Sequence, residues 1–161
     1  MISRWFISVL MLMLLSACDS GSNKQKQTLP TLSGPDIQRV NDSVLIAQGL
    51  GLYEQHCARC HGRAAEGDVQ WRKPDAQGNY PAPPLDGSGH AWHHPRAMLH
   101  NVIKQGSPVD ESGRPRGNMP AWGRIINDQE IDALIAWFQS LWPDQVYALW
   151  YERQQRARGM R

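Results

Sequence analysis

Cysteine is scarce, with three in 161 residues, too few for a disulfide-stapled scaffold. Neither sign of charge is in excess. Seventeen Lys+Arg face 15 Asp+Glu, a formal net charge of +2, which excludes the strongly basic balance of a nucleic-acid binder and an acidic-tail protein alike. No uninterrupted apolar run reaches the about 20 residues that a bilayer crossing needs. Internal repeats are absent, and no stretch carries the period-2 alternation of a strand. What remains is 41% hydrophobic and 20% charged, with seven Trp, a composition that suits one compact domain with a small core plus extensions.

The first extension is at the amino terminus. Arg4 precedes a mostly apolar run, Trp5–Ala17, whose length fits the core of a secretory signal rather than a membrane span. The run ends in Leu15-Ser16-Ala17-Cys18, which resembles the lipobox of bacterial lipoproteins. That resemblance implies cleavage before Cys18 and lipidation of its thiol. Asp19 behind it implies retention at the periplasmic face of the inner membrane. An ordinary signal with a chance Cys, or an uncleaved anchor, is the alternative. Ser20–Pro35 is rich in Ser, Gly, Asn, Gln, Thr and Pro and reads as a flexible tether. The chain thus divides into a signal peptide (1–17), a lipidated Cys with its tether (18–40), a folded domain (41–143) and a basic helical extension (144–161).

Within the domain the pattern is helical. Val44, Leu45, Leu50, Leu52 and Tyr53 predict a helix from Ser43 to His56, capped by Asp42 or Ser43. A short helix is expected over Pro95–Gln105, with Met98, Leu99, Val102 and Ile103 on one face and Gly106 after its end. Asn127 and Glu130 form a capping-box pair ahead of Ile131, Leu134, Ile135, Phe138 and Leu141, which predicts a helix over Asp128–Trp142 stopped by Pro143. A last helix is expected over Asp144–Ala157, with Val146, Tyr147 and Trp150 on its apolar side. Arg63–His94 and Ser107–Ala121 read as long loops. Few helices and long loops in so short a chain imply that something other than secondary structure fills the centre.

Cys57-Ala58-Arg59-Cys60-His61 says what that is. The spacing lets each thiol add to one of the two vinyl groups of a haem and delivers the adjacent imidazole beneath the iron, the arrangement of c-type haem attachment. Two competitors are weaker. A thioredoxin-like redox pair lacks its βαβ context, and a zinc site lacks a second Cys pair.

With these residues the chain resembles the class I c-type cytochromes over roughly 43–142. Gly49, Tyr53 and Cys57 match that family's amino-terminal helix, in which a glycine lets the carboxy-terminal helix approach closely. Leu134 and Trp137 match the partners on that helix. Pro83-Pro84-Leu85-Asp86-Gly87 resembles the family's Pro-x-Leu-x-Gly loop. The match implies that the Pro83 carbonyl accepts a hydrogen bond from the His61 ring and that Leu85 packs on the haem. The implied fold is all-α: a small class I cytochrome c fold, helices wrapped around one covalent haem c with long loops.

The second axial ligand follows by elimination. Met98 sits on the apolar face of the short helix, where a core role is expected. Met160 lies next to the terminus. Met119, in Gly117-Asn118-Met119-Pro120, resembles the family's Met-Pro ligand loop. His61 and Met119 are thus the expected iron ligands. His90, His93 and His94 cluster around Trp92, and a second metal site competes there with a plain loop or haem-rim contacts. Trp92, Trp122 and Arg96 are candidates for a haem carboxylate. The arginines of the extension fit a solvated terminal helix, the covering of the domain, or contact with lipid or a partner.

A haem closed on both sides by His and Met carries electrons rather than binding substrate. The expectation is an electron carrier rather than an enzyme, tethered to the membrane and serving redox partners in or at it (an oxidase, a reductase or a copper protein), with no nucleic-acid role. The alternatives are a haem enzyme or gas or peroxide sensor with a labile Met119, and an electron donor to a copper enzyme.

Overall fold

The computed structural model of the chain describes residues 39–159. The signal segment, Cys18, nearly all of the tether and Met160 lie outside them. The described residues form α1 (Ser43–His56), a short α2 (Ala58–His61), a 3₁₀ turn (Ala91–His93), α3 (Arg96–Gln105), α4 (Asp128–Ser140) and α5 (Asp144–Gly159). Among them are no strands, and two isolated bridges, Tyr80 with Gly117 and Val109 with Pro115, tie loops together. This is the expected all-α architecture.

The crossing of α1 and α4 organises the molecule. A Cβ at Gly49 would lie 2.1 Å from the Ala133 carbonyl oxygen and 2.7 Å from Trp137 Cβ, so only glycine allows the two backbones to touch there. One turn on, Tyr53 stacks on Trp137 with ring centroids 4.1 Å apart, and its hydroxyl donates to the Gly62 carbonyl. The backbone partner of Gly49 is therefore Ala133 rather than Leu134, which faces a cavity instead. The burial pattern of α1 also differs from the expected one. Gly49 and Tyr53 are its buried residues, whereas Val44 is 77% exposed and Leu50 39%, because the face turned to α4 is the narrow one that the glycine opens.

Capping sets the helix starts. The Asp42 carboxylate accepts from the Val44 and Leu45 amides. Asn127 and Glu130 form the reciprocal box in which each side chain accepts from the other's amide, satisfying orphan donors of the first turn of α4. Pro95 is the cap of α3 rather than its first residue. At its far end α4 stops at Ser140, two residues short of Trp142, and Leu141 is 39% exposed. Pro143, which has no N–H for the Gln139 carbonyl, ends the ladder, and Arg39 takes the acceptors left over: its guanidinium donates to the carbonyls of Gln139 and Trp142 and to the Asp144 carboxylate. Arg39 closes the α4–α5 corner and lies 4.6 Å over the Tyr147 ring.

The terminal helix is not simply solvated. It runs to Gly159 and buries Tyr147, Ala148, Trp150 and Gln154, with a T-shaped contact between Trp142 and Trp150 at 6.0 Å. No helix of the described residues is long and apolar enough to cross a membrane.

Candidate functional site

Loops and helices leave a cavity of about 600 Å³ between α1, α3, α4 and the two long loops. Its walls are largely apolar, with Leu85, Leu99, Val102, Ile103, Leu134 and Phe138 among them. Cys57, Cys60 and His61 come from the end of α1 and the turn of α2, and Met119 from the loop before α4. All four face this one cavity. Cys57 and Cys60 are free thiols. Burial, with the neighbouring Cys60, pushes the Cys57 thiol up to about 11. The thiol is thus protonated at neutral pH, while Cys60 is exposed.

His61 is buried at the cavity floor, and its Nδ1 lies 2.8 Å from the Pro83 carbonyl oxygen. A carbonyl only accepts, so Nδ1 carries the proton and the Nε2 lone pair is free. Burial lowers the affinity of this ring for a second proton, against an opposing pull from the Pro83 carbonyl. A neutral imidazole with a fixed tautomer is the form that binds a metal.

Met119 is held from two sides. Its amide donates to Ser107 Oγ at 3.0 Å and its carbonyl accepts from the Ser107 amide at 3.0 Å. A Cβ at Gly106 would lie 2.8 Å from the Met119 carbonyl oxygen, and Gly106 has φ +86°. Glycine is needed there twice over, to end α3 and to let the loop lie against it. Farther along, the Trp122 and Gly123 amides donate to the Ile103 and Lys104 carbonyls, using the orphan acceptors at the end of α3. Ser107 was not legible as a site residue, since a serine after a helix-ending glycine is ordinary.

Other expectations resolve differently. Met98 is 42% exposed and lines the cavity, so it is a wall residue rather than core. Arg96 pairs with Asp132 at 2.8 Å and the Trp92 indole donates to the Gly89 carbonyl, which leaves Trp122 as the one of the three carboxylate candidates that lines the cavity. The cationic lining groups are Arg59 and Arg116, set against Asp68. The histidines separate into two groups: His90 stacks on Trp71 at 5.2 Å and meets the edge of His94, both lining the cavity, whereas His93 packs on Trp92 at 3.8 Å. Among the described residues no group of three or more His, Cys, Asp or Glu side chains is placed to hold a metal ion.

The donor set therefore suits a flat, largely apolar macrocycle: two thiols, an oriented imidazole and a thioether line the one cavity, with two guanidinium groups that would meet its carboxylates.

A family model described as cytochrome c oxidase, cbb3-type, subunit III matches residues 44–138. The cbb3-type cytochrome c oxidase subunit CcoP of Azospirillum sp. (strain B510) is 29% identical over 121 residues, covering 68% of this chain and 37% of that protein. The protein of the same name from Azospirillum brasilense is 29% identical over 105 residues, covering 65% of this chain and 31% of that protein. The chain spans about a third of the length of these relatives. No solved structure matches.

Proposed function

The chain belongs to the cytochrome c oxidase, cbb3-type, subunit III family, and from that premise we propose that it is a membrane-tethered electron carrier holding one haem c through Cys57 and Cys60, with His61 and Met119 as axial ligands. The observation that carries this reading is the convergence of those four side chains on one apolar cavity of about 600 Å³. Haem c supplies an iron that changes oxidation state by one electron.

The protein's part is positioning. Cys57 and Cys60 would hold the haem through two thioether bonds, the S and the H of each thiol adding across one vinyl group. The Pro83 carbonyl keeps the His61 tautomer, and Ser107 with Gly106 keeps the Met119 backbone against the end of α3. Leu85, Leu99, Ile103 and Phe138 exclude water and so favour the less charged, reduced state. With the Met119 backbone held in this way, its thioether would occupy a place on the iron that a substrate would otherwise need, which favours a carrier over an enzyme or sensor.

Lipidation of Cys18 after removal of residues 1–17 would restrict the domain to a thin layer at the periplasmic face of the inner membrane, raising its concentration near membrane-bound partners. The relatives are subunits of a cbb3-type oxidase by name, and an oxidase is the partner class we assign, on the acceptor side.

Met119→Ala tests the carrier reading. The ferric parent is expected to keep its visible spectrum on addition of millimolar cyanide, and the variant to bind cyanide with a spectral shift. A parent that binds cyanide as readily as the variant has a labile or absent thioether, and the enzyme or sensor reading then replaces this one.

A further inference from the structure

The family match stops at residue 138, yet the α4–α5 corner and α5 reach back to the loop that walls the His61 side of the cavity. The Trp142 indole donates to the Leu85 carbonyl at 2.8 Å, and the Trp150 indole to the His94 carbonyl at 3.1 Å. Both acceptors belong to residues that line the cavity. The two indoles are buried in one aromatic cluster with Tyr147, with ring centroids 5.3–6.4 Å apart. Farther along α5, the Arg153 guanidinium sits 5.3 Å over Trp92. On the other side the same loop is fixed by the Leu85 amide, which donates to the Ala65 carbonyl at 2.8 Å. Gly87 lies where an added Cβ would be 3.0 Å from Pro143 Cδ and 3.2 Å from the Trp142 ring. Leu85 is two residues from Pro83, whose carbonyl holds His61.

We propose that Trp142 and Trp150 are positioning residues, and that the α4–α5 corner and α5 form a clamp on the 83–94 loop that keeps the Pro83 carbonyl on His61 Nδ1 and water out of the cavity. Each indole N–H satisfies a loop carbonyl that would otherwise turn to solvent, and the rigid aromatic cluster fixes both donors relative to α4. The loop thus takes its place from a helix outside the matched segment, and the environment of His61 depends on a part of the chain that never touches it.

The consequence for the iron rests on the haem reading; the consequence for the loop does not. Trp150→Phe and Trp142→Phe remove the N–H and keep a ring. Each is expected to raise amide hydrogen exchange at Leu85, His93 and His94 by about tenfold or more, and to lower the midpoint potential of the haem, because admitted water favours the oxidised, more charged state. Ile135→Val, a fully buried core change on α4, is the control for lost stability and is expected to move neither quantity. Unchanged exchange in Trp150→Phe overturns the clamp, as does an equal change in Ile135→Val. Faster exchange with an unmoved potential overturns the link to His61. Should Trp142→Phe fail to fold, Trp150→Phe decides alone. A colourless preparation ends the haem reading, and hydrogen exchange on that chain still decides the clamp.

Discussion

Gly49 and Gly51 lie two residues apart in α1 and predict opposite outcomes. An added methyl at Gly49 meets the Ala133 carbonyl at 2.1 Å, while at Gly51 nothing lies within 4 Å. Gly49→Ala is expected to destabilise by about 3 kcal/mol or more, since a backbone cannot yield as a side-chain tip does. Gly51→Ala is expected to stabilise by up to about 1 kcal/mol through helix propensity. Denaturant titration of both variants checks the pair, and similar midpoints would contradict the crossing geometry. Residues of this kind divide sharply in legibility. Cys57, Cys60 and His61 were readable together because their spacing along the chain already sets them side by side at the end of α1 and the turn of α2. Pro83 and Met119 were readable through a family likeness. Ser107 and Arg39 were not, because each acts on a main-chain group brought near only by folding.

Among the elements, α4 is the one whose start the sequence encodes fully. Asn127→Ala removes the side-chain acceptor of the Glu130 amide and is expected to cost about 1 kcal/mol in thermal or chemical unfolding. The helix ends at Ser140, two residues before the expected Trp142, because the effect of Pro143 reaches back into the last turn, and the Gln139 carbonyl it leaves over is taken by Arg39, 100 positions away. A second contact ties α3 to α4: Lys104 Nζ donates to the Asp128 carboxylate at 2.7 Å. That hydrogen bond, aided by the Lys104 and His100 charges, holds the Asp128 carboxyl below the ordinary carboxylate range. A carboxyl whose folded value is depressed adds stability above the unfolded value of 3.8 and loses it as pH falls through the folded value. Asp128→Asn is therefore expected to flatten the loss of stability on acidification below about pH 4, and an acid limb parallel to the parent's would contradict this. The pair is exposed, so the effect is modest and salt-sensitive. The terminal helix was legible as a helix but not as part of a clamp, because the acceptors of the Trp142 indole in the α4–α5 corner and the Trp150 indole in α5 lie 57 and 56 residues away.

At the scale of the whole molecule, one buried cluster of the described residues, drawn mainly from α1, α4, the α4–α5 corner and α5, lies beside the cavity, and the long Gly- and Pro-rich loops, with little periodicity of their own, wall that cavity. The loops fold around the space between Cys57, His61 and Met119, and their conformations, including the placement of His90 and His94 at the cavity and of His93 on Trp92, are set by contacts that no local pattern announces. At this scale the tether makes its own prediction. Cys18→Ser is expected to release the protein from the membrane fraction, and a variant that stays there would place the anchor elsewhere. The central claim, that one haem is covalently held by this cavity, is tested most directly by the intact mass of the exported chain under denaturing conditions. The expected result is the mass of the chain plus a single haem, with neither Cys57 nor Cys60 open to alkylation; a chain without that added mass whose two thiols are both alkylated would contradict the account.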